Sequence, residues 1–277
     1  MKTIVLIIGA LAVSQVYAQE ERETIRKTFP AVKRIDLDNV NGFVHVTGYS
    51  GSGIEMVAEK STTADSAERM EVSKRDVKLD ITQSGDTLSF YVDGPFRCNC
   101  SDGRRGISEH RRPGYHVTYD FDLKVPTGTE LRLSTVNHGD IEVKGTTGDF
   151  DVDNVNGRIT LDEVAGSGSA HTVNGPVKVT FARNPGGNSS FRTVNGSIDA
   201  SFQPGLSADL RLKTFNGRAY TDFEVTPLPG LAATAERRDG KFIYRSNDFT
   251  GVRAGHGGPE LKFDTLNGTI RIINRGK

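Results

Sequence analysis

Three aspartates that alternate along one short segment are the first residues whose spacing suggests chemistry. Asp149, Asp151 and Asp153 are two positions apart, so in an extended strand their carboxylates would share one face. Clustered carboxylate oxygens are the ligands that calcium prefers. The loop order of an EF-hand is absent, because Asn154 occupies the sixth position, where that loop requires glycine. The pattern therefore favours a solvated polar strand face, and the sequence predicts no metal site.

Two cysteines, Cys98 and Cys100, are the next candidates. In an oxidising compartment, cysteines at this spacing favour a local disulfide or an intermolecular one. A zinc site that also used His110 and His116 is the alternative, although this spacing matches none of the usual zinc patterns. We expect a disulfide, and the sequence leaves open whether Cys98 pairs with Cys100.

The segment around and after the cysteines is locally basic. Its five arginines are Arg97, Arg104, Arg105, Arg111 and Arg112. Only Asp102 and Glu109 oppose them between positions 97 and 112. An anionic glycan or a lipid headgroup could bind such a loop, with Arg104, Arg105, Arg111 and Arg112 as its contacts. The alternative is a solvated loop without a ligand.

Motifs for covalent catalysis and phosphate binding are missing. Gly166-Ser167-Gly168-Ser169 lacks the Gly-x-Ser-x-Gly spacing of a nucleophile elbow. His256-Gly257-Gly258 has the composition of an oxyanion loop, but no nucleophile accompanies it. No Gly-Lys-Ser or Gly-Lys-Thr phosphate loop is present. The sequence therefore predicts no catalytic residue and no cofactor.

The first eighteen residues have the pattern of a secretory signal peptide. Lys2 supplies the positive charge, Thr3 to Val13 form a short apolar core, and Val16-Tyr17-Ala18 precede a cleavage point ahead of Gln19. The apolar stretch is shorter than the roughly 20 residues needed to span a bilayer. We therefore expect residues 19–277 to be exported without a transmembrane anchor, to the periplasm, the cell surface or the medium.

Composition limits the classes of partner. The chain has 35 basic and 35 acidic residues, so it lacks the basic excess typical of nucleic-acid binding. Glycine is frequent at 31 residues, tryptophan is absent, and 35% of residues are apolar. These values favour a narrow stacked core over a thick globular one.

An Asn-Gly unit recurs through the chain and is the strongest structural signal. Its copies are Asn41-Gly42, Asn137-His138-Gly139, Asn156-Gly157, Asn174-Gly175, Asn195-Gly196, Asn216-Gly217 and Asn267-Gly268. Most copies have Thr two positions before Asn, an apolar residue directly before Asn, and an apolar residue two positions after Gly. From Asn137 the spacings are 19, 18, 21, 21 and 51 residues, which is typical of repeat architectures.

Each unit predicts a strand, an Asn-Gly corner and a second strand, in an all-β fold. We expect residues 19–277 to form one right-handed parallel β-helix, a β-solenoid with coils of about 20 residues. Insertions interrupt it at about 55–115 and at 226–258, and the first contains a short helix near Thr63 to Lys74. Val155, Val173 and Val194 would form one buried column, and the asparagines a hydrogen-bonded ladder. An antiparallel β-meander is the alternative, because Asn-Gly is also a strong hairpin signal.

Three segments resemble an uncharacterised bacterial family of β-strand repeat proteins, similar to the head domains of autotransporter adhesins. They are "DNVNGFVHVTGYSG", "DFDLKVPTGTELRLSTVNHGDIEVKGTTGDFDVDNVNGRI" and "TVNGSIDA". The resemblance covers roughly Ile35 to Ile273 and implies an exported β-helical protein without assigned catalytic residues. The inserted His138 and the loop from Cys98 to Arg112 depart from the pattern.

These observations favour an exported, non-enzymatic module of the cell envelope that is adhesin-like and binds a surface glycan or an envelope protein. A polysaccharide-active enzyme is one alternative, because a stacked β face can carry acid and base groups. A sensor that acts through a protein partner is another. The oligomeric state is not indicated.

Overall fold

The computed structural model describes residues 19–99, 105–107, 114–228, 235–238, 241–244 and 249–276. In these ranges the chain forms one helix, α1 (Ala67–Asp76), and strands β1 (Gln19–Pro30), β2 (Arg34–Asp38), β3 (Val44–Tyr49), β4 (Gly53–Ala64), β5 (Lys78–Ser84), β6 (Thr87–Asp93), β7 (Arg97–Asn99), β8 (Arg105–Ile107), β9 (Tyr115–Pro126), β10 (Glu130–Thr135), β11 (Ile141–Lys144), β12 (Phe150–Asn154), β13 (Ile159–Val164), β14 (Gly168–His171), β15 (Val177–Phe181), β16 (Ser189–Asn195), β17 (Ile198–Phe202), β18 (Ala208–Asn216), β19 (Ala219–Thr221), β20 (Val225–Pro227), β21 (Ala235–Arg238), β22 (Lys241–Tyr244), β23 (Thr250–Ala254), β24 (Glu260–Asn267) and β25 (Ile270–Asn274). The predicted all-β class is confirmed.

Two large mixed sheets contain most of these strands. The first sheet has the order β1-β4-β9-β3-β11-β13-β15-β17-β25-β19. The second has the order β20-β23-β18-β24-β16-β14-β12-β10-β2-β6-β5. Two separate hairpin pairs, β7 with β8 and β21 with β22, lie outside them.

Each Asn-Gly unit contributes one strand to each large sheet. The strand before the asparagine lies in the second sheet and the strand after the glycine lies in the first, as β12 and β13 do on either side of Asn156-Gly157. Neighbouring units pair in parallel and in register, so Leu133 lies beside Val152 and Ile141 beside Ile159. The repeat therefore specifies a parallel centre in both sheets.

The units are not arranged in chain order. Strands β24 and β25 of the last unit lie between those of the unit at Asn195 and those of the unit at Asn216. The unit at Asn216 is therefore the outermost repeat, although it comes earlier in the sequence than the unit at Asn267, which lies between it and the unit at Asn195. The 51-residue gap before Asn267 contains the return of the chain to this position.

The prediction of a right-handed parallel β-helix is wrong. The strands form two large mixed sheets, and the antiparallel strands β1, β4, β5, β20 and β23 belong to them, so no closed solenoid forms. The antiparallel meander is also wrong, because the strands of successive units pair in parallel. Each Asn-Gly therefore connects a strand of the second sheet to a strand of the first and does not form the turn of a hairpin.

The core lies between the two sheets and consists of side chains that alternate along each strand. Phe181 of the first sheet meets Phe191 of the second edge to face at 6.2 Å, which joins the layers, and Phe191 stacks on Phe263 within the second sheet at 5.3 Å. The residues two positions after the repeat glycines are buried in six of the seven units, at Val44, Ile141, Ile159, Val177, Ile198 and Ile270. Ala219 is the exposed exception.

The first predicted insertion builds one end of the molecule. Its long strand β4 pairs antiparallel with β9, the strand that follows the insertion, and β1 pairs with β4 along its whole length. Helix α1 starts after Ser66, whose side chain accepts the Arg69 N–H and so caps the first turn. It contacts β4 and β9, which places it over this end of the first sheet.

Candidate functional site

The seven repeat asparagines lie at one corner of the molecule. From Asn137 to Asn216 their amides form a continuous ladder, in which each Nδ2 donates to the Oδ1 of the preceding unit at 2.7–3.1 Å. The donors, in spatial order, are Asn156, Asn174, Asn195, Asn267 and Asn216. At the start Asn41 instead donates to the Val117 carbonyl at 3.1 Å. Their amides bond mainly to one another along an exposed corner, so their role is structural.

Threonine and glycine hold the neighbouring units together at this corner. The Thr193 hydroxyl donates to the Gly175 carbonyl at 2.8 Å, and Thr135, Thr172, Thr265 and Thr214 make the equivalent bond. A Cβ at Gly196 would lie 2.1 Å from the same Gly175 oxygen. Glycine recurs here because the backbones of adjacent units approach too closely for any side chain.

The apolar residue before each asparagine is less buried than predicted. Val40 is buried, but Val173 is 39% exposed, Leu266 45% and Phe215 67%. The prediction that Val155, Val173 and Val194 form one buried column is wrong, because Val155 and Val194 are only partly buried as well. These side chains form a ridge outside the corner.

Several predicted site residues lie outside the described part of the chain. Cys100, Arg104, His110, Arg111 and Arg112 are among them. Only the backbones of Cys98 and Arg105 are described, in the paired strands β7 and β8. The disulfide and the anion-binding loop therefore remain predictions.

Arg97 has a structural role at the edge of that loop. Its guanidinium contacts the Asp38 carboxylate at 3.0 Å and the Val92 carbonyl at 2.9 Å, and it lies 4.5 Å from the centroid of the Tyr91 ring. Its side chain is 9% exposed. These contacts hold the Arg97 side chain against β2 and β6 and stabilise the fold there.

The three aspartates engage separate neighbours. Asp149 accepts the Ser167 N–H at 2.9 Å, Asp151 accepts the Ser169 hydroxyl, and Asp153 lies 3.7 Å from His171 Nδ1. Burial raises the pKa of Asp153, and the Asp151 carboxylate raises it further. Within the described ranges, no group of three or more His, Cys, Asp or Glu side chains could hold a metal ion.

Two in-register rows of side chains cross the outer face of the second sheet, and this surface is the candidate site. The first row is Ser89, Asp36, Arg132, Asp151, Ser169, Ser190, Lys262 and Arg211. The second row is Tyr91, Asp38, Ser134, Asp153, His171, Arg192, Asp264 and Lys213. Eight strands about 4.8 Å apart make each row roughly 34 Å long.

Charge is segregated along these rows. The half on β6, β2, β10 and β12 carries four carboxylates, Asp36, Asp38, Asp151 and Asp153, against Arg132. The half on β14, β16, β24 and β18 carries four cations, Arg192, Lys262, Arg211 and Lys213, against Asp264. We call this second half the basic face.

Two lysines of the basic face stand apart from carboxylates. Lys262 Nζ lies 4.5 Å and Lys213 Nζ 5.4 Å from the centroid of the Phe249 ring. Arg192 and Arg211 pair with Asp264 and Glu260 at 3.8 and 3.1 Å, but no described carboxylate lies within ion-pair distance of either lysine. Their charge is therefore available to a ligand.

A shallow groove of about 310 Å³ runs beside Lys262. Its lining includes Ser169, Asn188, Ser190 and Glu260, with Phe150 at its floor. The Asn188 Oδ1 accepts the Glu260 N–H at 2.8 Å, which fixes that side chain. The groove thus offers hydroxyl and amide groups next to a positive charge.

Ser190 of the first row and His171 and Asp153 of the second lie in an order similar to that of a catalytic triad. His171 Nε2 is 3.3 Å from Ser190 Oγ, and His171 Nδ1 is 3.7 Å from Asp153. The second distance exceeds a hydrogen bond, and Asp153 and His171 are substantially exposed on an open face. Ser190 also lies inside a strand paired on both sides, which commits the backbone N–H groups that an oxyanion hole needs. The arrangement lacks the features of an acyl-transfer site.

A second cavity, of about 190 Å³, lies between β1, β4 and α1. Lys60 is buried there, donates to the Val77 carbonyl at 3.2 Å, and lies 5.6 Å from the centroid of the Tyr119 ring. Burial lowers the pKa of Lys60, although the nearby Glu23 and Glu21 carboxylates oppose this. Lys74 pairs with Glu21 at 2.7 Å, so the charges around this cavity largely balance.

Sequence reasoning missed the basic face. Its cations come from three strands that are up to 72 residues apart, and Lys262 joins Arg192 only because β24 inserts between β16 and β18. Arg192, Lys213 and Asp264 alternate with apolar residues in the sequence, which predicts a solvent-exposed strand face but not which strands lie beside it.

Comparisons with known proteins give distant structural similarity. No family model and no curated protein matches the chain. A proposed cell adhesion protein of Clostridium sporogenes aligns over 94% of this chain and 100% of its own, with 10% identity and a TM-score of 0.41. A proposed lipid-binding protein of Parabacteroides distasonis aligns over 91% and 96%, with 11% identity and a TM-score of 0.34. A proposed adhesin of Bacteroides fragilis aligns over 92% and 97%, with 11% identity and a TM-score of 0.30.

Similarity at this level carries no argument about function, which has to come from this chain's own surface. No helix in the described residues is long and apolar enough to cross a membrane.

Proposed function

We propose that this protein is an exported, non-enzymatic binding module of the cell envelope that holds an extended anionic glycan on its basic face. The observation that carries the proposal is the charge segregation of the two rows, whose half on β14, β16, β24 and β18 has four cations and one carboxylate, while Glu260 of the groove is paired with Arg211. The signal-peptide pattern of the first eighteen residues supports export.

An extended polymer fits this surface better than a small molecule. The basic face spans the four strands β14, β16, β24 and β18, which is about 14 Å at a strand spacing of about 4.8 Å, and the groove beside Lys262 is open to solvent. Lys213 and Lys262 have no described carboxylate partner, so an acidic ligand would neutralise them without breaking an existing ion pair. The Ser190 hydroxyl and the Asn188 amide would hydrogen-bond to sugar hydroxyls.

The rigidity of the face favours binding over turnover. Parallel pairing on both sides fixes β14, β16 and β24, so the face loses little conformational entropy when a ligand binds. Catalysis of acyl transfer would need an oxyanion hole, and the strand pairing around Ser190 leaves no free backbone donor for one.

The test compares two double variants in titration calorimetry with polygalacturonate and with neutral dextran. Lys213→Ser with Lys262→Ser should weaken polygalacturonate binding by about tenfold, equivalent to about 1.4 kcal/mol. The control, Lys144→Ser with Lys178→Ser, removes two exposed lysines from the outer face of the first sheet and should leave affinity unchanged.

Wild-type affinity should also fall steeply as salt rises, since exposed charges are screened over about 10 Å at 0.1 M salt. Equal losses in the two double variants would show only nonspecific attraction and would refute the basic face as the site. Cleavage of polygalacturonate by the wild type that Asp151→Asn or Asp153→Asn abolishes would refute the binding module in favour of an enzyme.

A further inference from the structure

Strand β19 is an open edge of the first sheet. It pairs in parallel with β25 on one side, and no described strand lies on its other side. The Ile270 N–H donates to the Arg218 carbonyl at 2.9 Å, and the Asp222 N–H donates to the Ile272 carbonyl at 3.4 Å. Because successive residues of a strand point their backbone groups to opposite sides, those of Ala219 and Thr221 point away from β25.

Two of the other sheet edges carry charge or proline, which β19 lacks. Strand β1 has Glu20, Glu21, Arg22 and Glu23 in succession, and β20 ends at Pro227. Charge and proline on an edge prevent pairing with another chain. Strand β19 reads Ala219-Tyr220-Thr221 and carries neither.

Exposed apolar side chains surround this edge. Five large hydrophobic residues are exposed in the described part of the chain, and four of them lie here: Phe215, Tyr220, Leu266 and Ile273. Tyr220 is 51% exposed and Phe215 67%. Apolar residues that cluster around an unpaired edge are typical of an interface.

We propose that β19 is a dimer interface, on which a second copy of this chain pairs its own β19 antiparallel about a two-fold axis through Tyr220. Ala219 of each copy then lies opposite Thr221 of the other, and these are the residues whose N–H and C=O groups point outward. Each such pair exchanges two hydrogen bonds, which gives four across the axis. Tyr220 meets Tyr220 at the close, non-hydrogen-bonded position, where side-chain contact is strongest.

The charges beside this strand are also self-complementary. Arg218 and Asp222 lie two positions before and after Tyr220, so the two-fold axis places Arg218 of each copy opposite Asp222 of the other. Asp222 accepts the Asn274 N–H at 2.6 Å within its own copy, which holds its carboxylate at the edge. A strand of an unrelated protein would match the spacing of Arg218 and Asp222 only by chance, whereas a second copy matches it by symmetry.

The test places opposite charges at the axis. Tyr220→Glu and Tyr220→Lys should each be monomeric in sedimentation velocity at concentrations where the wild type is dimeric, because like charges meet and weaken association by about tenfold or more. Mixing the two variants should restore a dimer, which native mass spectrometry identifies as the mixed species. Only an interface in which position 220 meets position 220 predicts this restoration.

Lys178→Glu is the matched control, since it changes charge on the same outer face, three strands inside the edge, and should leave the dimer intact. A wild-type chain that stays monomeric at its highest soluble concentration would overturn the proposal. So would a dimer that persists in both charged variants, or variants that dimerise no better together than apart.

Discussion

The two ends of the molecule are finished differently. At one end the long antiparallel strands β1, β4 and β9 and helix α1 extend the first sheet beyond the repeat, with a charged outermost strand. At the other end the repeat stops at the unit of Asn216, where Phe215, Arg218 and Tyr220 are exposed. In a stack of repeats each inner unit is covered by a neighbour on both sides. Only the two end units leave a strand edge that contacts solvent or a partner.

This difference between the two ends is the reason why the proposed dimer forms through the end that contains β19. The end formed by β1, β4, β9 and α1, which we call the closed end, uses about seventy residues, from Gly53 to Pro126, to extend the stack. At the other end, which we call the open end, β23 pairs with β18 and β20 with β23 in the second sheet, but no described strand lies on the outer side of β19 in the first. The basic face runs toward this open end, so pairing through β19 would present two such faces in one assembly.

The largest expected difference concerns aromatic side chains at the two ends. Phe90 of β6 is buried against Phe29 at 5.6 Å, so Phe90→Ala should lower the free energy of unfolding by about 3–5 kcal/mol. Phe215→Ala, at an exposed position, should change it by less than about 0.5 kcal/mol in the monomer. Urea unfolding measures both, and a large loss at Phe215 would mean that the open end is covered.

The second prediction concerns glycines of the corner. A Cβ at Gly139 would lie 1.8 Å from the Gly42 oxygen, with a further unit on its other side, so Gly139→Ala should cost about 3 kcal/mol. Gly217 makes an equally close approach to the Gly268 oxygen, at 1.8 Å, but belongs to the outermost unit, which can shift. Gly217→Ala should therefore cost about half as much in thermal or urea unfolding.

Gly186→Ala is the control for this pair, because no atom lies within 4 Å of its added Cβ. It should be nearly neutral. Equal costs at Gly139 and Gly217 would contradict the freedom of the outermost unit.

The smallest effect concerns pH at the closed end. Burial lowers the pKa of Lys60 below its ordinary value of 10.5. Between the lowered pKa of the folded state and 10.5 the unfolded chain binds more protons, so stability gains from this group as pH rises. The free energy of unfolding of the wild type relative to Lys60→Met should therefore increase from neutral pH toward 10.5. A difference independent of pH would show that Lys60 titrates normally.

Much of the local structure was predictable, because alternation reports which residues face a core. Leu133, Val152 and Phe263 alternate with polar residues along the sequence, which predicts that they face inward, and all three are buried. The helix was expected near Thr63 to Lys74 and lies at Ala67–Asp76. These features depend on neighbours in sequence.

The arrangement of the strands was not predictable in the same way. Asn-Gly can form a hairpin or link two sheets, and only contacts between units distinguish the two, such as their parallel pairing and the close approach of Gly196 to Gly175. Val173 was expected in the core because it is apolar and recurs, yet it lies outside the corner. The basic face and the open edge both follow from the position of β24 and β25, which the spacing of the repeat does not encode.

The position of that last unit is the claim on which the open end depends, and engineered disulfides test it directly. In a Cys98→Ser, Cys100→Ser background, one variant carries Asn195→Cys with Asn267→Cys and the other Asn195→Cys with Asn216→Cys. Asn195 and Asn267 are partners on adjacent strands about 4.8 Å apart, within the reach of a disulfide. Asn195 and Asn216 flank β24, about 9.6 Å apart and beyond that reach. The account predicts that only the first pair forms a disulfide in the folded protein, and efficient bonding of positions 195 and 216 would contradict it.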